Sequence, residues 1–285
     1  MKGSRSRVRL DESHTGQDAR PSMPNRGNGG SRSVATLLRK RASRIALVVL
    51  SGLYAVLWLG GVISYLFLGG PPPEATWTAP SFLVLAAVLV LFVSPAAEWP
   101  VLLGCAALGF AAEAVGVASG FPFGRYHYTA TLFPLALGVP VVMTAAWLAL
   151  FAYVRQMARS PLVAAAWMTA IDFVIDPLAT KTLNYWTWES SGPYYGIPWS
   201  NFAGWFFVSL ALFALARKRA VPNPRAGWLG LSVVLFFTVI ALGVGLELAG
   251  AVGIGLVILH AVRAWPGARR SARNTASIPP DSSSR

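Results

Sequence analysis

The chain carries three acids inside long apolar runs, where a carboxylate is energetically costly. Asp172 and Asp176 are four residues apart in AIDFVIDPLAT (170–180), and Glu113 lies in GFAAEAVGVASG (109–120). Residues four apart share one face of a helix. Two carboxylates one turn apart in a medium of low dielectric constant repel each other if both are ionised, so we expect one of them to hold a proton. The pair is a candidate for acid–base catalysis, with Glu113 as a third acid.

Each of these acids also has a purely structural interpretation. The Asp pair can cap helix ends or pair with Lys181 and Arg125, and Pro177 favours a local distortion of the helix. Glu113 can form a salt bridge with an arginine of another helix. Three small residues on the face of Glu113 allow a helix or a ligand to approach it: Gly109, Gly116 and Gly120.

Aromatic residues cluster in two segments near these acids. The first is FPFGRYHY (121–128), in which His127 can titrate near neutrality, although a lone histidine is more often structural. The second runs from Trp186 to Trp205, and its density of aromatic residues among Gly, Pro and Asn indicates a shaped loop rather than a simple interfacial belt. Aromatic faces attract cations, which is useful beside a developing carbocation.

Composition places the chain among polytopic membrane proteins. It is 55% hydrophobic and 12% charged, whereas soluble domains average about 25% charged. Most of the formal net charge of +13 lies in the two ends, beside apolar segments, which favours membrane orientation over nucleic-acid binding. The single Cys105 gives neither a disulfide framework nor a thiolate metal site, and three scattered histidines give no multi-histidine metal site. We therefore expect no metal.

Hydropathy predicts an all-α transmembrane bundle of about eight spans. Residues 1–43 read as a disordered basic cytoplasmic tail, 44–262 as the transmembrane domain, and 263–285 as a second disordered basic cytoplasmic tail. Eight apolar segments lie at about 44–68, 78–95, 99–118, 134–154, 162–180, 201–216, 226–246 and 248–262. The last two allow seven spans if they merge, but Glu247 and Gly250 indicate a turn between them.

Loop charges predict the orientation of the bundle. With the N-terminus in the cytoplasm, one set of loops holds Arg155, Arg159 and the basic run from 217 to 225, whereas the opposite loops hold only Arg125 and Lys181. This asymmetry satisfies the positive-inside rule with both termini cytoplasmic. It places the segments 119–133 and 181–200, and therefore the candidate chemistry, together on the non-cytoplasmic side.

Four segments together resemble one family. They are EAVGVASGFPFGRYHY (113–128), PLALGVP (134–140) with Trp147, IDFVIDP (171–177), and YWTWE (185–189) followed by YYGIPWSNFAGW (194–205). In combination they are similar to the carotenoid biosynthesis membrane proteins that act as carotenoid 1′,2′-hydratases. The resemblance covers about 100–216, and the composite pattern is specific although each fragment alone is weak. The long basic N-terminal tail is not part of it.

The resemblance implies a reaction and roles for these residues. It implies addition of water, without a cofactor, to the terminal double bond of an acyclic carotenoid ψ end group, giving a tertiary alcohol. Asp172 and Asp176 would supply acid and base, Glu113 would orient water or hold the second proton, and an apolar slot between helices would hold the polyene. The residues expected to bind substrate are Arg125, Tyr126, His127, Tyr128, Trp147, Trp186, Trp188, Tyr194, Tyr195, Asn201 and Trp205.

The same resemblance implies a cellular location and partners, and two other functions remain as alternatives. We expect a multi-pass protein of the inner (plasma) membrane whose partners are a lipophilic carotenoid, membrane lipid and other carotenoid biosynthesis enzymes, with no nucleic acid. An intramembrane prenyltransferase would use the spacing D-x-x-x-D at 172–176 for magnesium diphosphate, but such enzymes have two acidic motifs. A transporter would use the buried acids as a proton relay, but no internal repeat is evident.

Overall fold

The computed structural model describes residues 29–216 and 220–264, and side chains from residue 41 onward. The chain divides into a first unit, Met1–Ile45, of which only a helical segment from Gly29 is described, and a second unit, Ala46–Arg285, which contains the bundle. The outer parts of both predicted tails, 1–28 and 265–285, lie outside the described residues.

Eight α-helices and four short β-strands form the described part of the chain. The helices are α1 (Gly29–Phe67), α2 (Thr78–Val93), α3 (Trp99–Ser119), α4 (Met143–Met157), α5 (Pro161–Lys181), α6 (Trp199–Leu215), α7 (Pro224–Gly243) and α8 (Glu247–Ala264). The strands are β1 (Tyr126–Tyr128), β2 (Leu135–Ala136), β3 (Val139–Pro140) and β4 (Trp186–Trp188). The prediction of an all-α membrane bundle is confirmed, with the strands confined to loops.

Three boundaries differ from the predictions. Helix α1 runs from Gly29, and its segment VATLLRKR (34–41) consists largely of helix-forming residues, whereas the sequence placed the first apolar segment from about 44. Helix α4 begins at Met143, whereas the fourth apolar segment was placed from 134, because β2 and β3 form a hairpin there with Gly138 at φ +77°. The turn before α8 is centred on Gly245 at φ +81°, whereas Gly250 lies inside α8.

Helix length separates six candidate membrane spans from two shorter helices among the described residues. Among the described residues six helices are long and apolar enough to cross a membrane: α1, α2, α3, α5, α7 and α8. Helices α4 and α6 have 15 and 17 residues, fewer than the roughly 20 that a full span requires. The predicted last two spans are separate helices. With this number of apolar helices the chain is a multi-pass membrane protein.

The most buried helices, α4 and α5, form the centre of the bundle. Helix α4 contacts α2, α3, α5 and α7, and every residue from Trp147 to Arg155 is buried. Helix α5 contacts α6, α7 and α8, and carries Asp172 and Asp176 on its buried side. By contrast, α1 exposes most of its apolar side chains, as expected for a helix that faces lipid.

The two ends of the bundle differ in their polar groups. Where α3 begins and α4 ends, Arg155 forms an ion pair with Glu98 at 2.5 Å. Where α3 and α5 end and α6 begins, the structure gathers Glu113, Asp176 and Asn201. The strands β1 and β4 pair antiparallel at this second end, with Tyr126 opposite Trp188 and Tyr128 opposite Trp186.

Candidate active site

Asn201 joins the two aspartates of α5. Its side-chain nitrogen Nδ2 donates to Oδ2 of Asp172 at 2.7 Å and to Oδ2 of Asp176 at 2.6 Å. Asn201 lies in the first turn of α6, and α5 and α6 pack closely along their length. All three side chains are buried. The Asp pair therefore forms a bridged carboxyl unit instead of capping helix ends or pairing with Lys181 and Arg125.

Two indoles from strand β4 complete the surroundings of Asp176. Trp186 Nε1 donates to Asp176 Oδ1 at 2.8 Å, and Trp188 Nε1 lies 3.3 Å from the same oxygen. The two tryptophans are two residues apart on a strand, so their side chains share one face of the β1–β4 pair. Asp176 thus accepts hydrogen bonds from three neutral N–H groups, and Asp172 accepts one within the described chain.

Glu113 forms a second acidic centre with two tyrosines of strand β1. The hydroxyls of Tyr126 and Tyr128 both donate to Glu113 Oε2, the latter at 3.2 Å. Burial, followed by the nearby Glu113 charge, raises the pKa of both phenols above the ordinary value of 10.0. Both tyrosines therefore remain hydrogen-bond donors at physiological pH. Glu113 is held by phenols rather than by an arginine.

The glutamate is within electrostatic range of the aspartate pair. Its charge acts on both Asp172 and Asp176, and that of Asp176 acts on Tyr126. The Tyr126 ring also packs on Trp188, with centroids 4.9 Å apart. The three acids of α3 and α5 therefore belong to one site, with the β1–β4 pair connecting its two halves.

Trp147 lies beside Glu113 and is held in place by a glycine. A Cβ atom at Gly109 would lie 2.4 Å from the Trp147 ring, so only glycine allows this approach of α4 to α3. The other face of the indole stacks on Trp205, with centroids 4.5 Å apart. The Trp147 N–H interacts favourably with Glu113 but makes no hydrogen bond of normal geometry to a described residue. A water between the two groups can satisfy this buried donor.

An apolar cavity of about 50 Å³ adjoins the carboxyl pair. It extends from Tyr185 and Trp186 in the loop along α4 from Met143 to Leu150, over two helical turns. Its lining is apolar or aromatic except for one acid, Asp172. The remaining lining residues are Leu83, Leu132, Ala146, Ala149, Ile171, Ile175, Trp205, Val233 and Phe237. A hydrocarbon end group in this cavity would meet the Asp172 carboxyl group.

Four of the residues expected to bind substrate make no hydrogen bond to the three acids among the described residues, although Tyr194 is within electrostatic range of both aspartates. Arg125 and His127 are exposed, and His127 occupies the outward face of β1, where its Nε2 pairs with Thr187 Oγ1 at 2.7 Å. The Tyr194 hydroxyl donates to the carbonyl of Phe173 at 2.9 Å, and the Tyr195 hydroxyl accepts from the backbone N–H of Leu248 at 3.0 Å. These contacts give structural explanations for His127, Tyr194 and Tyr195, whereas Arg125 is simply exposed. The other seven contact the acids directly or pack on those that do.

Sequence reasoning missed most of the cavity wall. Ile171, Ile175 and Leu150 carry no chemical signal in the sequence, because apolar residues in apolar helices look alike whether they face lipid, core or cavity. Tyr185 lies in the YWTWE segment but was not assigned a role. Phe123 was also missed. It fills the gap between two glycines, since a Cβ atom at Gly116 or at Gly204 would lie 2.7 Å from its ring. The small residues around Glu113 were the available signal for such packing.

The described residues contain no group of three or more His, Cys, Asp or Glu side chains placed to hold a metal ion.

Comparison with known proteins bears on the identity of this site. The model of the family described as "Carotenoid biosynthesis protein" matches residues 78–262, which is more than half of the chain. The chain belongs to this family. The match includes every acid, indole and phenol of the site, and begins after α1.

One curated protein with sequence similarity to this chain is the bisanhydrobacterioruberin hydratase of Haloarcula japonica. It is 32% identical over 124 residues, covering 38% of this chain and 42% of the relative. The aligned part thus spans less than half the length of that relative. No solved structure matches the chain.

Proposed function

We propose that this member of the carotenoid biosynthesis family is a hydratase that adds water across the terminal 1′,2′ double bond of an acyclic carotenoid ψ end group. The observation that carries the proposal is a bridged pair of buried carboxyl groups, one of which lines an otherwise apolar cavity. The name of the Haloarcula relative, a hydratase, supports it. The product is a tertiary alcohol.

The chemistry requires a proton donor, protection of a cation and a proton acceptor. A carboxyl proton is transferred to C2 as the π electrons form the new C–H bond, which leaves a tertiary cation at C1. A water oxygen then forms the C–O bond, and the released proton returns to a carboxylate. The net change is addition of one water molecule, and the carboxyl pair ends with the proton that it began with.

The aromatic lining suits the cation. Trp186 and Trp205 border the cavity, and Trp147 stacks behind Trp205. Indole faces attract cations through their quadrupole, and the scarcity of other polar groups limits uncontrolled access of water. Glu113 and Trp147 lie beside the cavity wall formed by Trp205, and together they offer an acceptor and an N–H donor suited to hold a water next to the cavity.

The test uses labelled water. Purified protein in detergent, supplied with lycopene as an acyclic carotenoid with ψ end groups, should convert it in ¹⁸O-water to an alcohol that carries one ¹⁸O atom. The reaction should proceed with EDTA present and without any prenyl diphosphate. The control is the variant carrying both Asp172→Asn and Asp176→Asn, which should yield no alcohol.

The same assay separates hydration from prenyl transfer. If product forms only when magnesium and a prenyl diphosphate are added, and carries the prenyl carbons, the hydratase proposal is wrong and the aspartates are better assigned as metal ligands. The structural argument against that outcome is that the Asp176 oxygens and Asp172 Oδ2 already accept N–H groups of the protein.

We also propose the cellular setting. A lipophilic substrate reaches the cavity from the bilayer, so the protein works in the plasma membrane and exchanges carotenoids with the enzymes that precede and follow it. Its basic flanks orient it with the site on the non-cytoplasmic side.

A further inference from the structure

We infer that the two aspartates do not share the proton transfers: Asp172 alone exchanges protons with substrate and water, and Asp176 is a fixed negative charge held by N–H groups. This inference rests on the proposed hydration and deepens it. Asp172 is then the catalytic acid and base in turn, and Asp176 is a positioning residue.

Access to the cavity distinguishes the two carboxyl groups. Asp172 is among the residues that line the cavity, and Asp176, one turn further along α5, is not. Asp176 instead accepts a hydrogen bond from Nε1 of Trp186, whose indole borders the cavity. A substrate carbon in the cavity can therefore contact Asp172, whereas Asp176 contacts a residue of the cavity wall.

Hydrogen bonding also distinguishes the two carboxyl groups, and it too favours Asp172 as the group that exchanges protons. Both oxygens of Asp176 accept N–H groups, Oδ1 from Trp186 and Trp188 and Oδ2 from Asn201. Donors that surround a carboxylate favour its charged form. Asp172 accepts only through Oδ2, from Asn201, so its Oδ1 can carry a proton. The fixed charge one turn away then discourages ionisation of Asp172 in the resting site.

The catalytic cycle follows from this division. Asp172 Oδ1 gives its proton to C2, and the resulting C1 cation is attracted by the carboxylates of Asp172 and Asp176. Water adds to C1 and returns a proton to Asp172, so that Asp172 regains its starting form and Asp176 is unchanged throughout. Reversal before water adds removes a proton from C2, and this proton too goes to Asp172.

Reversal provides a measurable signature in D₂O. If the cation forms by deuteron transfer and then loses the original hydrogen from C2, the recovered carotenoid carries deuterium at C2 without hydration. The ratio of deuterated substrate to alcohol measures how the cation divides between loss of a proton and addition of water, and a change of this ratio in a variant shows which of the two steps uses the replaced group. Mass spectrometry of lycopene and its product, after incubation with the full-length protein in detergent, gives this ratio.

Three variants test the division. Asp172→Asn should lose both alcohol and deuterated substrate. Asp176→Asn should slow turnover about 100-fold, the effect of losing one electrostatic stabiliser, while the ratio stays within about twofold of the wild-type ratio, as expected if Asp172 serves both branches. A severalfold rise in the ratio would assign the water proton to Asp176, and deuterium exchange surviving in Asp172→Asn would assign protonation elsewhere. Either result overturns the inference.

A double-mutant cycle tests whether Trp186 acts through the Asp176 charge. Trp186→Phe keeps an aromatic face and removes the N–H, so it should slow turnover about tenfold in the wild type and have no further effect in Asp176→Asn. The matched control is Trp99→Phe, which removes an indole N–H bonded to Leu91 at the other end of the bundle and should change nothing. A full tenfold loss in the Asp176→Asn background, or in the control, contradicts the inference.

The design keeps the outcomes separate. If the wild-type protein makes no labelled alcohol, the proposed function is wrong. If the wild type makes alcohol but the ratio of deuterated substrate to alcohol rises in Asp176→Asn, only the division of roles between the aspartates is rejected. Each variant is compared after size-exclusion chromatography in detergent. If Asp176→Asn is not obtained folded, Trp186→Phe and Trp188→Phe retain both carboxyl groups and are tested for the same unchanged ratio.

Discussion

At the scale of residues, the site is defined by which polar atoms have partners and which do not. Asp176 and Glu113 are enclosed by N–H and O–H donors, whereas Asp172 Oδ1 and Trp147 Nε1 make no hydrogen bond to the described chain. Buried polar atoms normally find partners, so those that remain open in a polar cluster are where a ligand or water is expected. Trp147 is the simplest of these to test, because a phenylalanine at this position keeps an aromatic ring and removes the N–H.

Replacing Trp147 by Phe should lower activity by more than its modest cost in stability explains. The Phe ring retains an aromatic surface against Gly109 and Trp205 but fills less space than the fully buried indole, so the cavity left behind should lower the free energy of unfolding by about 1–2 kcal/mol. Turnover should fall about tenfold if this N–H holds the reacting water. Thermal denaturation in detergent and the lycopene assay measure the two quantities.

Ser209→Ala is the matched control for this experiment. Ser209 Oγ is also buried without a partner, but Ser209 lies on α6 away from the acids. Its removal should leave both stability and turnover at or above the wild-type level. Equal activity of Trp147→Phe and Ser209→Ala would reject a role for the Trp147 N–H in the reaction.

At the scale of elements, the pairing of β1 with β4 brings separate segments of the sequence to one site. The alternation in YHY and WTW turns Tyr126, Tyr128, Trp186 and Trp188 to the acids and leaves His127 outside. The sequence identified both aromatic segments but did not specify their register, which depends on a contact between residues some sixty positions apart. The i, i+4 aspartate pair, in contrast, was predictable because it depends only on local helix geometry.

The tyrosines of β1 should make stability sensitive to alkaline pH. Their folded-state pKa lies above the unfolded value near 10, so their contribution is fully present below pH 10 and is lost as pH rises further, when the unfolded state releases protons that the folded state retains. The variant with Tyr126→Phe and Tyr128→Phe should therefore lose less stability between pH 9 and about pH 11 than the wild type. Melting temperatures in detergent across this range provide the measurement, each normalised to pH 7. Parallel curves for both proteins would contradict the assignment.

The contact between α3 and α4 should depend on glycine at one position of α3. Gly109→Ala places a methyl group into the Trp147 ring and should destabilise the protein by about 1–3 kcal/mol, with loss of activity as Trp147 shifts. Gly104→Ala, on the same helix with nothing within 4 Å of the added Cβ, should be neutral or slightly stabilising. The measurement is the melting temperature of each variant by thermal denaturation. Equal melting temperatures for Gly109→Ala and Gly104→Ala would contradict the close contact between Gly109 and the Trp147 ring.

At the scale of the whole molecule, the family match and the bundle agree on which part forms the site. The match begins at residue 78, so α2 to α8 carry the cavity and the acids, and α1 is an addition that packs on them through Tyr54 and Trp58, both bonded to Ser232. The number of helices was predictable from hydropathy, but the central position of α4 was not. Its burial comes from contacts with four other helices, and hydropathy does not distinguish a lipid-facing helix from a protein-facing one.

The orientation of the bundle is predicted from its loop charges and can be measured with single cysteines. Because Cys105 is the lone cysteine and is buried, Cys105→Ala provides a background for new labelling sites. Ser190, in the loop after β4, and Ser160, between α4 and α5, are both exposed and lie beyond opposite ends of α5. With both termini cytoplasmic, Ser190→Cys should react with a membrane-impermeant maleimide in intact cells, whereas Ser160→Cys should react only after permeabilisation. The reverse pattern would place the carboxyl pair on the cytoplasmic side and reject the predicted orientation, while leaving the geometry of the site unchanged.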